Sequence, residues 1–330
     1  MDEPRQNQLA SRGGLYDFIR SRFVRTAYAK PVDLTGKRII VTGASPGSLG
    51  FETARTLASW GASVVITTRS SSDATVEALR ARLRYADARR RIHGHTLDLS
   101  YSDSVASFVR WFVGAHGDRL DVLINNAGIH LDLLSRWKEP RLADDGFEIQ
   151  WRTNYLGTAH LTHLLLPLLE KTGRVAGDAR IVNVVSQLHA KGSNDDLFEG
   201  NRPYNSWTAY GNSKLALVHM TTELQRRYAN TSHVKAYCLH PGSVFTNVAD
   251  KGLEGTGLIE KARKALLPIE AFFLKTPEEG AQTQIHCATR PELPGGLYYQ
   301  ECKPAEPSKD AKDVRVANRL WAETESWVGT

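Results

Sequence analysis

The chain predicts an α/β fold: a doubly wound parallel sheet of about seven strands with helices on both faces, folded as a single domain. Three observations carry this. Short apolar runs recur along the sequence, "RIIVT" (38–42), "SVVITT" (63–68), "LDVLIN" (120–125), "ARIVNVVS" (179–186) and "HVKAYCLH" (233–240), with helix-spaced stretches between them. Strands joined by helical crossovers are parallel neighbours, because a parallel pair cannot be closed by a tight turn. The runs are apolar almost throughout rather than alternating, as strands covered on both faces are.

The elements follow in order. "RIIVT" opens the sheet and is followed by the glycine-rich "TGASPGSLG" (42–50) and a helix from 49 to 60 that ends at Gly61. After "SVVITT" come a helix at 73–86, the strand "IHGHTL" (92–97) and a helix at about 103–114. "LDVLIN" is followed by a long helix within about 144–171, "ARIVNVVS" by another at about 207–229, and then by "HVKAYCLH". Residues 187–206 and 243–275 read as insertions on the substrate side, and no solenoid repeat or low-complexity tract interrupts the pattern. Residues 1–36 form an N-terminal extension in which Leu15, Phe18, Ile19 and Phe23 share a helix face at 15–29, with Arg20, Arg22 and Arg25 between them. That helix suits either docking on the main body or a peripheral membrane contact. Residues 37–305 make up the main domain, and 306–330 a helical tail packed on it.

Composition removes several function classes. With 330 residues, 41% hydrophobic and 24% charged, the chain can bury a substantial core. The net charge is +6, and "RARLRYADARRR" (80–91) carries six arginines against Asp87. Tyr85 is its single aromatic, so a solvated helix face accounts for it better than nucleic-acid binding. Cys238, Cys287 and Cys302 are odd in number and far apart, which fits no disulfide scaffold or thiolate zinc site. The histidines lack metal-ligand spacing, and no metal is expected. No run reaches the roughly 18 apolar residues of a membrane span, and the N-terminus lacks the basic-then-apolar order of a signal peptide. A cytoplasmic location, with or without peripheral membrane contact, is the expectation.

"TGASPGSLG" stands where a doubly wound sheet binds phosphate, at the first strand-to-helix turn, where backbone N–H groups and a helix dipole meet an anion. Gly43 can turn sharply, Ser48 can cap the helix, and Gly50 lets the helix approach the sheet. Three residues separate Gly43 from Gly47 and two separate Gly47 from Gly50, which is one more than the dinucleotide-loop pattern G-x-x-x-G-x-G. On its own the loop is a weak signal.

Further motifs stand on the expected elements: "NNAG" (125–128), "NYLG" (154–157), "IVNVVS" ending at Ser186, "YGNSK" with Tyr210 and Lys214 one helical turn apart, and "HPGSVFT" (240–246). Together they resemble the classical short-chain dehydrogenase/reductase family, with its Rossmann-type fold, over most of residues 36–300. "KTPEEGAQTQIHCATRPELPGGLYYQECK" (275–303) and "ANRLWAETESWVG" (317–329) are similar to the branch of the retinol dehydrogenases and the WW-domain oxidoreductase. Aligned from the helix side, "SLGFETA" matches the family's "GIGFETA"-like helix start, so the surplus residue falls around Ser45, Pro46 and Gly47, and Ser48 adds a hydroxyl near the phosphates.

The resemblance implies hydride transfer between a nicotinamide and an alcohol or carbonyl carbon. Tyr210 would be the general acid/base, Ser186 would bond the substrate oxygen, Lys214 would lower the cost of deprotonating Tyr210 and bind the nicotinamide ribose, and Asn154 would hold a relay water. Cofactor contacts would come from Gly43, Ser45, Gly47, Ser48, Leu49 and Gly50 in the loop, Arg69, Asp98, Leu99, Asn125, Ala127 and Gly128, Tyr210 and Lys214, and Pro241, Gly242, Val244 and Thr246. At the end of the second strand Thr68 takes the place of the acidic residue of NAD-using relatives, and Arg69 follows. This favours NADP(H), since a guanidinium can hold a 2′-phosphate through paired bonds. His189 and His240 suit packing or substrate contact. The expected substrate is a lipophilic alcohol, aldehyde or ketone under a lid at 243–275, and a homodimer through the long helices is a family expectation. The rival reading is a catalytically silent NADP(H)-sensing or scaffolding protein on the same fold.

Overall fold

A computed structural model describes residues 26–198, 203–244 and 274–329. Eight strands form one sheet in the order β3-β2-β1-β4-β5-β6-β7-β8. They are β1 (Arg38–Thr42), β2 (Ser63–Thr68), β3 (Ile92–Thr96), β4 (Val122–Asn125), β5 (Ala179–Val184), β6 (Val234–His240), β7 (Tyr298–Gln300) and β8 (Lys303–Ala305). The first seven are parallel, and β8 returns antiparallel to β7. The expected count of about seven is therefore corrected to eight. The extra strand carries no sequence signal, because Glu301 and Cys302, at φ 51° and 57°, form the two-residue turn between β7 and β8. Such turns are ordinarily marked by Asn or Gly, and neither residue carries that signal.

The helices are α1 (Leu49–Ser59), α2 (Ser72–Arg82), α3 (Ala86–Arg90), α4 (Ser102–His116), α5 (Gly157–Ala176), α6 (Ser206–Ser232), α7 (Pro277–Thr289) and α8 (Val314–Val328). The helix expected at 73–86 splits at Leu83, whose backbone is extended. Arginines from the basic cluster stitch the break: Arg80 donates to the carbonyls of Arg89 and Ile92, and Arg89 donates to that of Leu83. The helix expected within 144–171 begins only at Ile149 and passes through a π-helical turn, Arg152–Leu156, before α5.

One core lies on each face of the sheet. Leu57, Leu79, Ile285 and Tyr237 belong to the layer under α1, α2 and α7, and Phe108, Leu165, Leu217 and Trp321 to the layer under α4, α5, α6 and α8. Residues 26–29 are not helical: Ala29 is buried and donates its N–H to Gln282, while the rest of the expected 15–29 helix lies outside the described residues. In the tail, α8 lies across α5 and α6. Trp321 packs on the His163 and Tyr228 rings under the Arg227 guanidinium, and Thr324 meets the Tyr155 hydroxyl at 2.5 Å. No helix among the described residues is long and apolar enough to cross a membrane.

Candidate active site

The strand order reverses between β1 and β4, and a cleft of about 290 Å³ opens there at the carboxyl ends of the strands. Its floor is the glycine-rich loop. Ser48 N–H bonds to the Ser45 carbonyl at 3.0 Å across Pro46 and Gly47, and Gly47 stands at φ +77°. Proline followed by a left-handed glycine is the chemistry of a type II turn, so the surplus residue of "TGASPGSLG" is absorbed in a closed local turn. The Ser48 hydroxyl then accepts from Phe51 N–H, capping α1, and donates to the Gly43 carbonyl, both at 3.2 Å. A Cβ on Gly43 would stand 2.8 Å from the Ala127 Cα, and one on Gly50 would stand 2.6 Å from the Asn126 amide nitrogen. The loop can lie this close to β4 only as glycine.

Gly43, Ser45, Ser48, Leu49, Arg69, Asp98, Leu99, Ala127 and Gly128 all line the cleft. Arg69 is exposed at its rim, while the Thr68 hydroxyl beside it is turned away to the Ser70 carbonyl at 2.7 Å. Asp98 bonds the backbone and hydroxyl of Ser100. Asn125 faces inward, where its amide donates to Thr162 and Asn183, and Asn126 is the asparagine on the cleft, bonded to the carbonyls of Thr42 and Gly43. Gly47 and Gly50 are buried beneath the loop.

Tyr210 and Lys214 lie on α6, with the Lys214 Nζ 5.6 Å from the Tyr210 ring centre. Lys214 is buried and donates to the Val184 carbonyl at 3.1 Å; burial pulls its ammonium down to about 8. Burial also pushes the Tyr210 phenol up to about 12, and an interaction with the Ser186 hydroxyl offsets part of that rise. Ser186, at the end of β5, also accepts from Leu188 N–H at 3.2 Å. Asn154 sits in the π-helical turn, fully buried. It accepts from the Ile129 N–H at 2.7 Å and donates to the Ile129 carbonyl at 2.9 Å and the Ser213 hydroxyl at 3.1 Å. A Cβ on Gly128 would meet the Lys214 Nζ at 3.1 Å and the Asn154 Oδ1 at 3.4 Å, so the cleft opens onto both groups through the missing side chain.

Beyond β6, Gly242 has φ +90° and packs on Lys275, while Val244 and Leu49 of the phosphate loop both close on Gly280, where a Cβ would stand 2.5 and 2.6 Å from them. Pro241 is half-buried; Thr246 and most of the expected lid lie outside the described residues. His189 Nε2 accepts from Ser308 N–H at 2.9 Å, which leaves Nδ1 as the protonated nitrogen that donates to the Ser186 carbonyl at 2.7 Å. It is a structural link with a fixed tautomer. His240 is buried, and its acidity is raised to about 4 by burial, Lys275 and His189.

Sequence reasoning passed over His130. Its ring stacks on Tyr210, with centroids 4.2 Å apart and planes inclined by 13°, and stands edge-on to Trp207 at 4.6 Å. The "NNAGIH" stretch shows a histidine two residues past a motif, but only the fold brings it against Tyr210.

The family profile described as "short chain dehydrogenase" matches residues 37–256. A "Probable oxidoreductase" of Streptomyces antibioticus is 38% identical over 310 residues, covering 88% of this chain and 97% of its own. "Retinol dehydrogenase 11" of Homo sapiens is 35% identical over 293 residues, covering 88% of this chain and 85% of its own. A solved structure of an uncharacterised protein from Mycobacterium paratuberculosis superposes with a TM-score of 0.68 at 31% identity, covering 92% of this chain and 98% of that one. With the family profile spanning most of the sheet, the chain belongs to the short-chain dehydrogenase/reductase family, on its retinol dehydrogenase-like branch, and is an oxidoreductase of the kind that uses a nicotinamide cofactor.

Proposed function

We propose that the chain is an NADP(H)-preferring oxidoreductase acting on a lipophilic alcohol, aldehyde or ketone, with Tyr210 as its general acid/base. The observation that carries this is the convergence of Ser186, Tyr210 and Lys214 beside a cleft floored by a glycine loop and a helix N-terminus. A nicotinamide dinucleotide bound there supplies or accepts the hydride. The open space at Gly128, beside Lys214 and Asn154, suits its ribose, and the Ser48-capped start of α1 suits its phosphates.

The chain's own groups handle the proton. With its phenol near 12, Tyr210 keeps its proton at neutral pH and is set to donate it to a carbonyl oxygen as charge develops there. The Ser186 hydroxyl supplies a second donor to that oxygen. Lys214, still an ammonium at neutral pH, stabilises the phenolate left behind. Asn154 Oδ1, which keeps a lone pair after bonding Ile129, faces the same space and suits a relay water. Arg69 at the rim and the absence of a carboxylate at Thr68 support a 2′-phosphate. The lipophilic class rests on the relatives named as retinol dehydrogenases. A silent sensor has no need of this convergence.

The test is oxidation of NADPH and of NADH against a panel of long-chain aldehydes and ketones, with Tyr210→Phe as control. Turnover that prefers NADPH and falls at least about 100-fold in the variant is expected. A Tyr210→Phe enzyme as fast as the parent would sink the mechanism, and binding of NADPH with no turnover of any carbonyl would return the sensor reading.

A further inference from the structure

We infer that His130 is a positioning residue for Tyr210: a rigid aromatic platform that fixes the phenol ring for proton transfer. The inference rests on Tyr210 being the acid/base, as proposed above.

The geometry is that of a face-to-face stack, with centroids at 4.2 Å and planes within 13°. A platform is useful only if it cannot drift, and here it is braced on both sides. The backbone of Ile129, just before it, is tied to the Asn154 amide, and Leu131 N–H, just after it, bonds to Gln150 Oε1 at 3.0 Å. Gln150 in turn donates to the Ser206 carbonyl at 3.1 Å, and the Ser206 hydroxyl donates to the Asp132 carbonyl at 2.6 Å. Ser206 opens the helix that carries Tyr210, so one polar network locates both the platform and the ring resting on it. Trp207 closes the edge of the imidazole, and its indole N–H bonds to the Leu133 carbonyl at 3.0 Å.

The platform is also electrically silent. Burial first, and then the Lys214 ammonium, pull the imidazole down to about 4 against the opposing pull of Asp132. At neutral pH it places no charge against Tyr210, which leaves Lys214 as the cation acting on the phenol. Displacement of a reacting group by about 1 Å can cost 100-fold in rate.

The experiment compares His130→Phe, His130→Leu and His130→Ala in the full chain, with NADPH and the aldehyde turned over fastest in the panel. His130→Phe keeps the stack and should stay within about threefold of the parent in kcat. His130→Leu keeps volume without a ring face, and it and His130→Ala should lose about 10- to 100-fold in kcat with KM and NADPH affinity within about threefold. Their solvent deuterium isotope effect on kcat should rise, because the proton step becomes slower. A merely structural role would lower Tm and leave that isotope effect unchanged. The inference is overturned if His130→Leu keeps the parental kcat, or if His130→Phe falls as far as His130→Leu. Failure of the underlying reading shows separately, as parental activity in Tyr210→Phe.

Discussion

Asn154 grips the backbone of Ile129 from both directions, accepting its N–H at 2.7 Å and donating to its carbonyl at 2.9 Å. One buried amide thus satisfies two main-chain groups at the exit of β4, a segment with no ladder partner of its own. Asn154→Ala removes the partner of both half-buried groups, and a loss of about 1–3 kcal/mol is expected. Asn154→Asp can still accept but cannot donate, so it should lie between alanine and the parent. Urea denaturation of the three proteins checks the order; equal stability of Asn154→Ala and the parent would show the grip to be dispensable.

Lys214 titrates at about 8 in the fold rather than at its ordinary 10.5, because burial disfavours the ammonium. Between those values the unfolded chain binds more protons than the folded one, so stability rises as the pH is raised through that window, and below it the cost is present in full. Lys214→Met should therefore be more stable than the parent at pH 7, by on the order of 3 kcal/mol, with the gap closing above pH 10. A gap independent of pH, measured without nucleotide, would contradict this.

The same two groups set the pH profile of carbonyl reduction. Tyr210 retains its proton up to about 12 and Lys214 up to about 8. The rate should be level through neutral pH and fall above about 8 as the ammonium is lost, and alcohol oxidation, whose base is the phenolate that the same ammonium stabilises, should lose that support over the same range. A reduction rate still level at pH 10 would remove Lys214 from the step.

A Cβ on Gly157 would lie 2.0 Å from the Leu99 carbonyl oxygen, an acceptor that already receives Arg152 Nη1 at 3.1 Å. Both partners are backbone or buried, so nothing can yield cheaply. Gly157→Ala should cost about 3 kcal/mol and weaken NADPH binding, because Leu99 lines the cleft. Thermal melting with and without NADPH reads both effects.

Trp321, buried between His163, Tyr228 and Arg227, anchors α8 across α5 and α6. Trp321→Ala should cost about 3–5 kcal/mol. It should also bare the outer face of the two long helices, raising the fraction of dimer seen by sedimentation. A destabilised variant that stays monomeric would show that this face does not self-associate.

Much of the framework was legible because its signals are local. The apolar runs mark β1, β2, β4, β5 and β6, and alignment from both sides puts the surplus residue of the phosphate loop around Ser45, Pro46 and Gly47, although the closed turn there shows only in the structure. Spacing alone put Tyr210 and Lys214 on one helix face. What the sequence hid depends on contacts between distant segments. The π-helical turn around Asn154 has no composition signature, and the break at Leu83 is held by arginines that read as plain surface charge. His130 meets Tyr210 across a sequence separation no periodicity spans. Asn125 and Asn126 are adjacent and identical, so only the pleat of β4 decides which faces the cleft.

The short hairpin of β7 and β8 bears on solubility as well as on strand count. A strand at the end of a sheet offers unpaired N–H and C=O groups to any passing chain. Here the last strand is three residues long, and two of them are Lys303 and Pro304. Pro304 has no N–H to donate, and Lys303 is exposed, so a further strand would find little to bond and a charge to bury. At this edge the sheet stops at β8, which acts as its terminator.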